Sequence, residues 1–153
     1  MMTDRHDWLM VQVDQVGEAV RKIAAALLDA GDPEQLVELD EQTDSLLEDV
    51  FEHSHITVVD SRTAALILRP PSRIRAYARL LAHKARLVHE LGRGVQGEGL
   101  ARRALELQLE AAEFEPDPDK IDHESIDALL DRDPPLCLGP RHQQLLEALD
   151  STG

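Results

Sequence analysis

The stretch that decides the fold is AGDPEQ, residues 30–35, together with the apolar residues that lead into it. Upstream, apolar residues recur at alternating steps of four and three, at Leu9, Val13, Val16, Val20, Ile23, Leu27 and Ala30. This spacing predicts one stripe of a long helix over residues 7–30. Gly31 suits a helix end, Asp32 is predicted to cap the next helix, and Pro33 suits its first position, where no amide hydrogen is needed. The sequence therefore predicts two helices joined by a short corner.

The same arrangement recurs further along the chain. A second helix is predicted over residues 33–53, and another pair over residues 72–91 and 98–114. Two antiparallel hairpins would then span about 7–53 and 72–114. The first helix of the second pair carries a predicted core stripe at Ile74, Tyr77, Ala78, Leu81, Ala85 and Val88.

The segment 54–71 between the two hairpins is less regular. Its residues 56–59 have strand-forming side chains, but an isolated strand has no partner here. Asp60 or Ser61 can instead cap a short helix. Strand, loop and helix all stay open for residues 54–60.

The C-terminal part is predicted to form short helices. Asp122 has the position of a helix cap, because Ile121 and Ile126 stand where a hydrophobic staple places them. We therefore predict an all-α bundle in which residues 1–114 form the hairpin core and residues 115–153 pack on it.

The net charge of −14 is unevenly distributed. Residues 69–103 hold 9 Lys and Arg against 2 Asp and Glu, whereas residues 1–68 hold 4 against 15. The chain-wide positive balance of most nucleic-acid-binding proteins is absent. One Trp, one Tyr and two Phe also leave little to stack on bases. We expect no nucleic-acid partner.

Cellular location is predicted from three further features. No apolar run approaches the roughly 18 residues that span a bilayer, so no membrane association is expected. The start of the chain lacks the basic and apolar pattern of a signal peptide. The single cysteine, Cys137, cannot form an internal disulfide, and we expect it to be a small buried residue. These features predict a cytoplasmic protein.

The second hairpin resembles tetratricopeptide repeat units. The large, small and turn positions of that repeat are matched by Leu81, Ala85, Val88, Gly92, Gly97 and Ala104. Lys84 departs from the pattern, because it occupies an apolar position. The resemblance implies a helical-hairpin fold of the tetratricopeptide-like type.

A second resemblance covers roughly residues 7–112. The chain is similar to a family of small bacterial helical proteins of unknown function, which open with an Asp-aromatic-aliphatic motif like Asp7-Trp8-Leu9-Met10. Later motifs of that family are matched by residues 78–81 (ARLL) and 104–107 (ALEL). This resemblance implies an all-α fold and brings no catalytic residues.

Several motifs suggest chemistry but also have a simpler interpretation. Residues 92–97, GRGVQG, match the dinucleotide-binding fingerprint, which requires a preceding strand, but here they follow a predicted helix. His53 and His55 could bind a transition metal or simply be polar residues at a helix end. No cofactor or metal is predicted.

The carboxylates of the second helix give the alternative function. With Glu38, Glu41, Asp44, Glu48 and Glu52, this helix resembles the carboxylate-rich helices of Mg²⁺-dependent all-α nucleotide pyrophosphohydrolases. Most of these carboxylates point away from the leucine stripe, which favours a solvated face.

The remaining candidate site is a ridge of arginines beside the core stripe of the third long helix, formed by Arg75, Arg79, Arg86 and Arg93. Such a ridge can neutralise acidic residues within the fold or on a second copy, or it can bind an acidic partner segment. We therefore predict a non-enzymatic protein-interaction or structural module. Its partner would be another protein or a second copy, as in a homodimer.

Overall fold

The computed structural model describes residues 2–29 and 32–152. These residues form eight α-helices and no β-strand, which confirms the all-α prediction. The helices are α1 (Met2–Leu28), α2 (Pro33–Phe51), α3 (His53–Ile56), α4 (Ser61–Leu68), α5 (Pro71–Glu90), α6 (Gly94–Phe114), α7 (His123–Leu130) and α8 (Pro140–Thr152). A 3₁₀ turn, Pro118–Lys120, precedes α7. Ala30 and Gly31 of the predicted corner lie outside the described residues.

The predicted start of α2 is confirmed. Pro33 is the first helical residue, and Asp32 caps the helix because its Oδ1 accepts the backbone N–H of Glu34 at 3.1 Å. The apolar stripe of α1 also faces the core, where Val16, Val20 and Ile23 are buried.

The helix α2 ends two residues before the predicted end at residue 53. Glu52 has φ 53° and ψ 51°, a left-handed conformation that stops the α-helix. The chain then makes the single turn of α3, and Asp60 caps α4 by accepting the N–H of Thr63 at 2.7 Å. Residues 54–60 are therefore helix and turn, not strand.

The helix α5 lies at the centre of the molecule. Its most extensive contacts are with the antiparallel helix α6, and α1 and α2 each contact α5 more than they contact each other. Every residue of its predicted core stripe is buried. Burial extends well beyond one stripe, because Ala76, Leu80 and Leu87 are covered as well.

Arginine side chains tie the connecting segment and α1 to this core. Arg103 of α6 donates through Nη2 to the carbonyls of Ile56 and Val59 at 2.7 and 2.6 Å. Arg73 of α5 donates through Nε to Gln12 Oε1 at 3.0 Å. Basic residues of the 69–103 block thus pair with groups of the same chain.

The helices α5 and α6 approach most closely at Gly97. A Cβ atom at this position would lie 2.8 Å from the Ala85 carbonyl oxygen, closer than real Cβ contacts allow. We expect Gly97→Ala to lower the free energy of unfolding by about 1–3 kcal/mol, because the helices must separate. The measurement is urea unfolding followed by circular dichroism.

Gly99 on the same helix provides the matched control. A Cβ atom there would meet nothing within 4 Å. Gly99→Ala should therefore raise stability by up to about 1 kcal/mol through helix propensity alone. Equal effects of the two substitutions would contradict a steric role for Gly97.

The C-terminal helices pack on α6. Asp122 caps α7, as predicted, and accepts the N–H of Ser125 at 3.1 Å. The prediction that Cys137 is buried is wrong, since it is exposed. It lies in an irregular segment in which the neighbouring Leu136 and Leu138 pack against the core, so the side chain between them points outward.

None of the helices in the described ranges has the length and apolar character needed to cross a bilayer.

Candidate functional site

A groove of about 960 Å³ lies between α1, α5 and residues 120–132. Its lining combines basic and small apolar side chains. The basic ones are Arg75, Arg79, His83, Arg86, Lys120 and Arg132. The apolar ones are Val13, Val16, Ala76, Ala82, Ile121, Ala128 and Leu129. We call this cleft the basic groove.

The structure separates the four arginines of the predicted ridge. Arg75 Nη1 lies 2.7 Å from Glu115 Oε1, and this ion pair is largely buried. Arg93 lies beyond the end of α5, and its Nη2 is 2.9 Å from Asp40 Oδ2. Of these four arginines, only Arg79 and Arg86 are exposed and also line the basic groove.

Arg79 and Arg86 form no ion pair with any other residue in the described ranges. They stand seven residues apart, so they project from the same side of α5 with a rise of about 10.5 Å between them. Their charges are therefore available to a ligand.

His83 lies between these two arginines on the same helix face. Burial lowers its pKa, the hydrogen bond to the Arg79 carbonyl raises it, and the charges of Arg86 and Arg79 lower it again. The net effect is a lowered pKa, so the imidazole is neutral at pH 7. With Nδ1–H donating to the Arg79 carbonyl at 2.9 Å, Nε2 is left as an acceptor.

The opposite wall of the groove has mixed charge. Besides Lys120 and Arg132, it carries Asp122, Glu124 and Asp131. Asp122 is occupied by capping α7, because both its oxygens accept from Ser125. The positive charge of the groove is thus concentrated on the α5 side.

A charged cluster behind α5 was not predicted from the sequence. Lys84 is only 4% exposed, and its Nζ lies 2.5 Å from Asp40 Oδ1 and 2.6 Å from Asp44 Oδ1. Asp40 also accepts from Arg93. The cluster joins α2 to α5 and to the start of α6. Two signals were available: Lys84 occupies an apolar position of α5, and Asp40 falls in the α2 stripe between the buried residues Leu36 and Leu47.

A second buried carboxylate fixes the last helix. The side chain of Glu110 on α6 is fully buried and accepts two hydrogen bonds from Arg141, at 2.8 and 2.7 Å. His142 Nε2 lies 2.9 Å from the same carboxylate. These contacts tie α8 to the core.

The exposed carboxylates of α2 do not converge on one point. Glu38, Glu41, Asp44, Glu48 and Glu52 are all exposed. Asp44 pairs with Lys84, and Glu48 accepts from the backbone and hydroxyl of Ser54. Within residues 2–29 and 32–152, no group of three or more His, Cys, Asp or Glu is placed to hold a metal ion. This part of the chain gives the hydrolase interpretation no support.

The two histidines at the end of α2 point to different partners. His53 Nδ1 lies 2.6 Å from the Tyr77 hydroxyl, and burial lowers its pKa. His55 is exposed and lies 4.0 Å from Glu52. The glycine-rich stretch 92–97 comprises the turn after α5 and the first residues of α6, and no strand precedes it in the described ranges.

These features define an all-α protein whose candidate site is a basic groove between helices. Comparisons with protein families, curated protein sequences and solved structures found no match.

Proposed function

We propose that this chain is a non-enzymatic protein-interaction module that binds an acidic segment of a protein partner in the basic groove. The antiparallel pair α5–α6, closely packed at Gly97, supports the tetratricopeptide-like interpretation of the fold. Apolar side chains within the groove suit a protein segment, because they can cover part of its apolar face.

The observation that carries this proposal is the pair Arg79 and Arg86. Three other basic residues of the same stretch, Arg75, Lys84 and Arg93, form ion pairs with Glu or Asp of the same chain. Arg79 and Arg86 are exposed and form no such pair in the described ranges, and unlike Arg62 and Arg69, which also form none, they line the groove. An acidic ligand would supply the missing charge.

The arginines mainly determine orientation and association rate. An exposed ion pair contributes only about 0.2–1 kcal/mol, so two of them do not account for tight binding. Burial of the apolar lining adds about 25 cal/mol for each Å² removed from water. Affinity should therefore depend on both the carboxylates and the apolar residues of the ligand.

The proposal is tested with a fluorescein-labelled helical peptide rich in Glu and Leu. We expect the wild-type protein to bind it, and Arg79→Glu combined with Arg86→Glu to weaken binding at least about tenfold. The melting temperature should stay nearly unchanged, because neither arginine forms an ion pair in the described ranges. Anisotropy titrations and thermal unfolding measure the two effects.

Two controls make this result specific. Arg62→Glu with Arg69→Glu introduces the same charge change at exposed positions that do not line the groove, and should bind normally. The same peptide with Gln in place of Glu should bind weakly. Equal binding by both double variants, or of both peptides, would overturn the proposal.

A further inference from the structure

The outer face of α2 carries negative charge, which is complementary to the positive charge of the basic groove. Glu34, Glu41 and Glu48 are exposed and recur at intervals of seven residues. Glu48 is engaged by Ser54, which leaves Glu34 and Glu41. Val37 lies between these two residues and is 44% exposed, so the same face offers an apolar side chain.

The spacing of these carboxylates matches that of the groove. Glu34 and Glu41 are separated by the same two helical turns as Arg79 and Arg86, a rise of about 10.5 Å. An extended strand places side chains of one face about 6.8 or 13.6 Å apart. A helix is therefore the better match to the two arginines.

The groove has small residues where a docked helix must approach. Packed helices lie about 8–10 Å apart, and small side chains at the contact allow the closer approach. Ala76, Ala82 and Ala128 line the groove together with Gly17. A Cβ atom at Gly17 would meet only Arg21 Nη1, at 4.0 Å, so the space above it is open.

We propose that α2 of a second copy docks in the basic groove, with its Glu34 and Glu41 against Arg79 and Arg86. This inference rests on the proposed function and names the partner. The described residues that line the groove come from α1, α5 and the segment 120–132, so α2 of the same copy stays accessible. Each copy can therefore give its α2 to one neighbour and accept α2 from another, which is a head-to-tail contact.

Salt should affect this association in two opposite ways. Each copy carries −14, so two copies repel each other at very low ionic strength. At physiological ionic strength, charges more than about 8 Å apart are screened, which weakens this repulsion. The attraction between a carboxylate and an arginine in direct contact is screened less. Association should therefore be strongest at intermediate salt and weaken again at high salt.

The test is light scattering on the full chain over a range of protein and salt concentrations. We expect the average mass of the wild-type protein to exceed 17.1 kDa at high concentration and to fall on dilution. Either charge reversal, Arg79→Glu with Arg86→Glu or Glu34→Arg with Glu41→Arg, should raise the dissociation constant at least about tenfold. An equimolar mixture of the two variants should regain assembly, because each supplies a complementary surface.

A matched control is Glu147→Arg with Asp150→Arg, which makes the same charge change on the exposed face of α8 and should assemble normally. Association that persists in both reversed variants would place the interface elsewhere and overturn the inference. A wild-type protein that remains at 17.1 kDa under all conditions would also overturn it. If that monomer still binds the Glu- and Leu-rich peptide, the proposed function stands; if it does not, both fail.

Discussion

Lys84→Met is expected to lower the free energy of unfolding by about 3–5 kcal/mol, because it leaves a buried carboxylate without its main cation. Asp40 has a side chain that is only 9% exposed, and Arg93 would be its one remaining ion-pair partner in the described ranges. At about 2–4 °C per kcal/mol for a domain of this size, thermal unfolding should show a clear fall in melting temperature. Lys22→Met, at an exposed position, is the control and should have little effect.

A double variant separates the strength of this ion pair from the cost of breaking it. Lys84→Met combined with Asp40→Leu removes both charges and fills the space with apolar atoms. Such replacements are often neutral or stabilising, so the double variant should be more stable than Lys84→Met alone. Additive losses in the double variant would contradict an ion pair buried at this position.

Arg141→Gln is expected to lower the free energy of unfolding by about 3 kcal/mol at pH 7. It removes two hydrogen bonds to the buried carboxylate of Glu110. We take the low end of the range for broken buried pairs because the Arg141 side chain is 40% exposed. Urea unfolding followed by circular dichroism measures the loss.

The loss should depend on pH in a defined direction. Burial raises the pKa of Glu110, but the hydrogen bonds and charges of Arg141 and His142 outweigh it, so the pKa lies below its ordinary value of 4.5. A lowered pKa contributes stability above pH 4.5 that is lost as the pH falls through the pKa of the folded state. The difference between Arg141→Gln and the wild type should therefore shrink at the acid end of the titration.

Arg102→Gln serves as the matched control for this effect. Arg102 pairs with Glu98 on the surface of the same helix, with both side chains well exposed. Its replacement should cost less than about 1 kcal/mol at either pH. A loss for Arg141→Gln that is the same at pH 7 and at the lowest pH would show that Arg141 does not lower the pKa of Glu110.

The starts of α2, α4 and α7 were predictable because capping is a local interaction, whereas α6 begins at Gly94, four residues before its predicted start. Asp32, Asp60 and Asp122 each accept a backbone N–H from a residue two or three positions later, so the sequence alone carries the signal. The end of α2 was harder to predict. It depends on the left-handed backbone of Glu52, a conformation that glycine favours and that a glutamate does not indicate.

The buried charges were missed because a single helix pattern treats a charged residue as solvent-facing. Asp40 and Lys84 are on different helices, 44 residues apart, and each looks like an isolated exception to its own stripe. The two side chains can be buried because they form an ion pair, in which each charge neutralises the other. Glu110 and Arg141 are missed for the same reason.

The arginine ridge was predicted from one helical stripe, and the tertiary fold divided it. Arg93 is separated because α5 ends at Glu90, before the stripe reaches it. Arg75 forms an ion pair with Glu115, which follows the end of α6. The groove itself could not be predicted, since one wall comes from residues 120–132, whose position depends on the packing of α7 against α6.

The basic groove is built from three separate parts of the chain, and this limits how the groove can be inherited. A fragment that carried only α5 and α6 into another protein would bring Arg79 and Arg86, but neither Val13 of α1 nor Leu129 of α7. The two arginines would then lie on an exposed helix face, without the side chains of α1 and α7 that enclose the groove. Recombination should therefore transfer this surface only with nearly the whole chain, and the surface is not a transferable module.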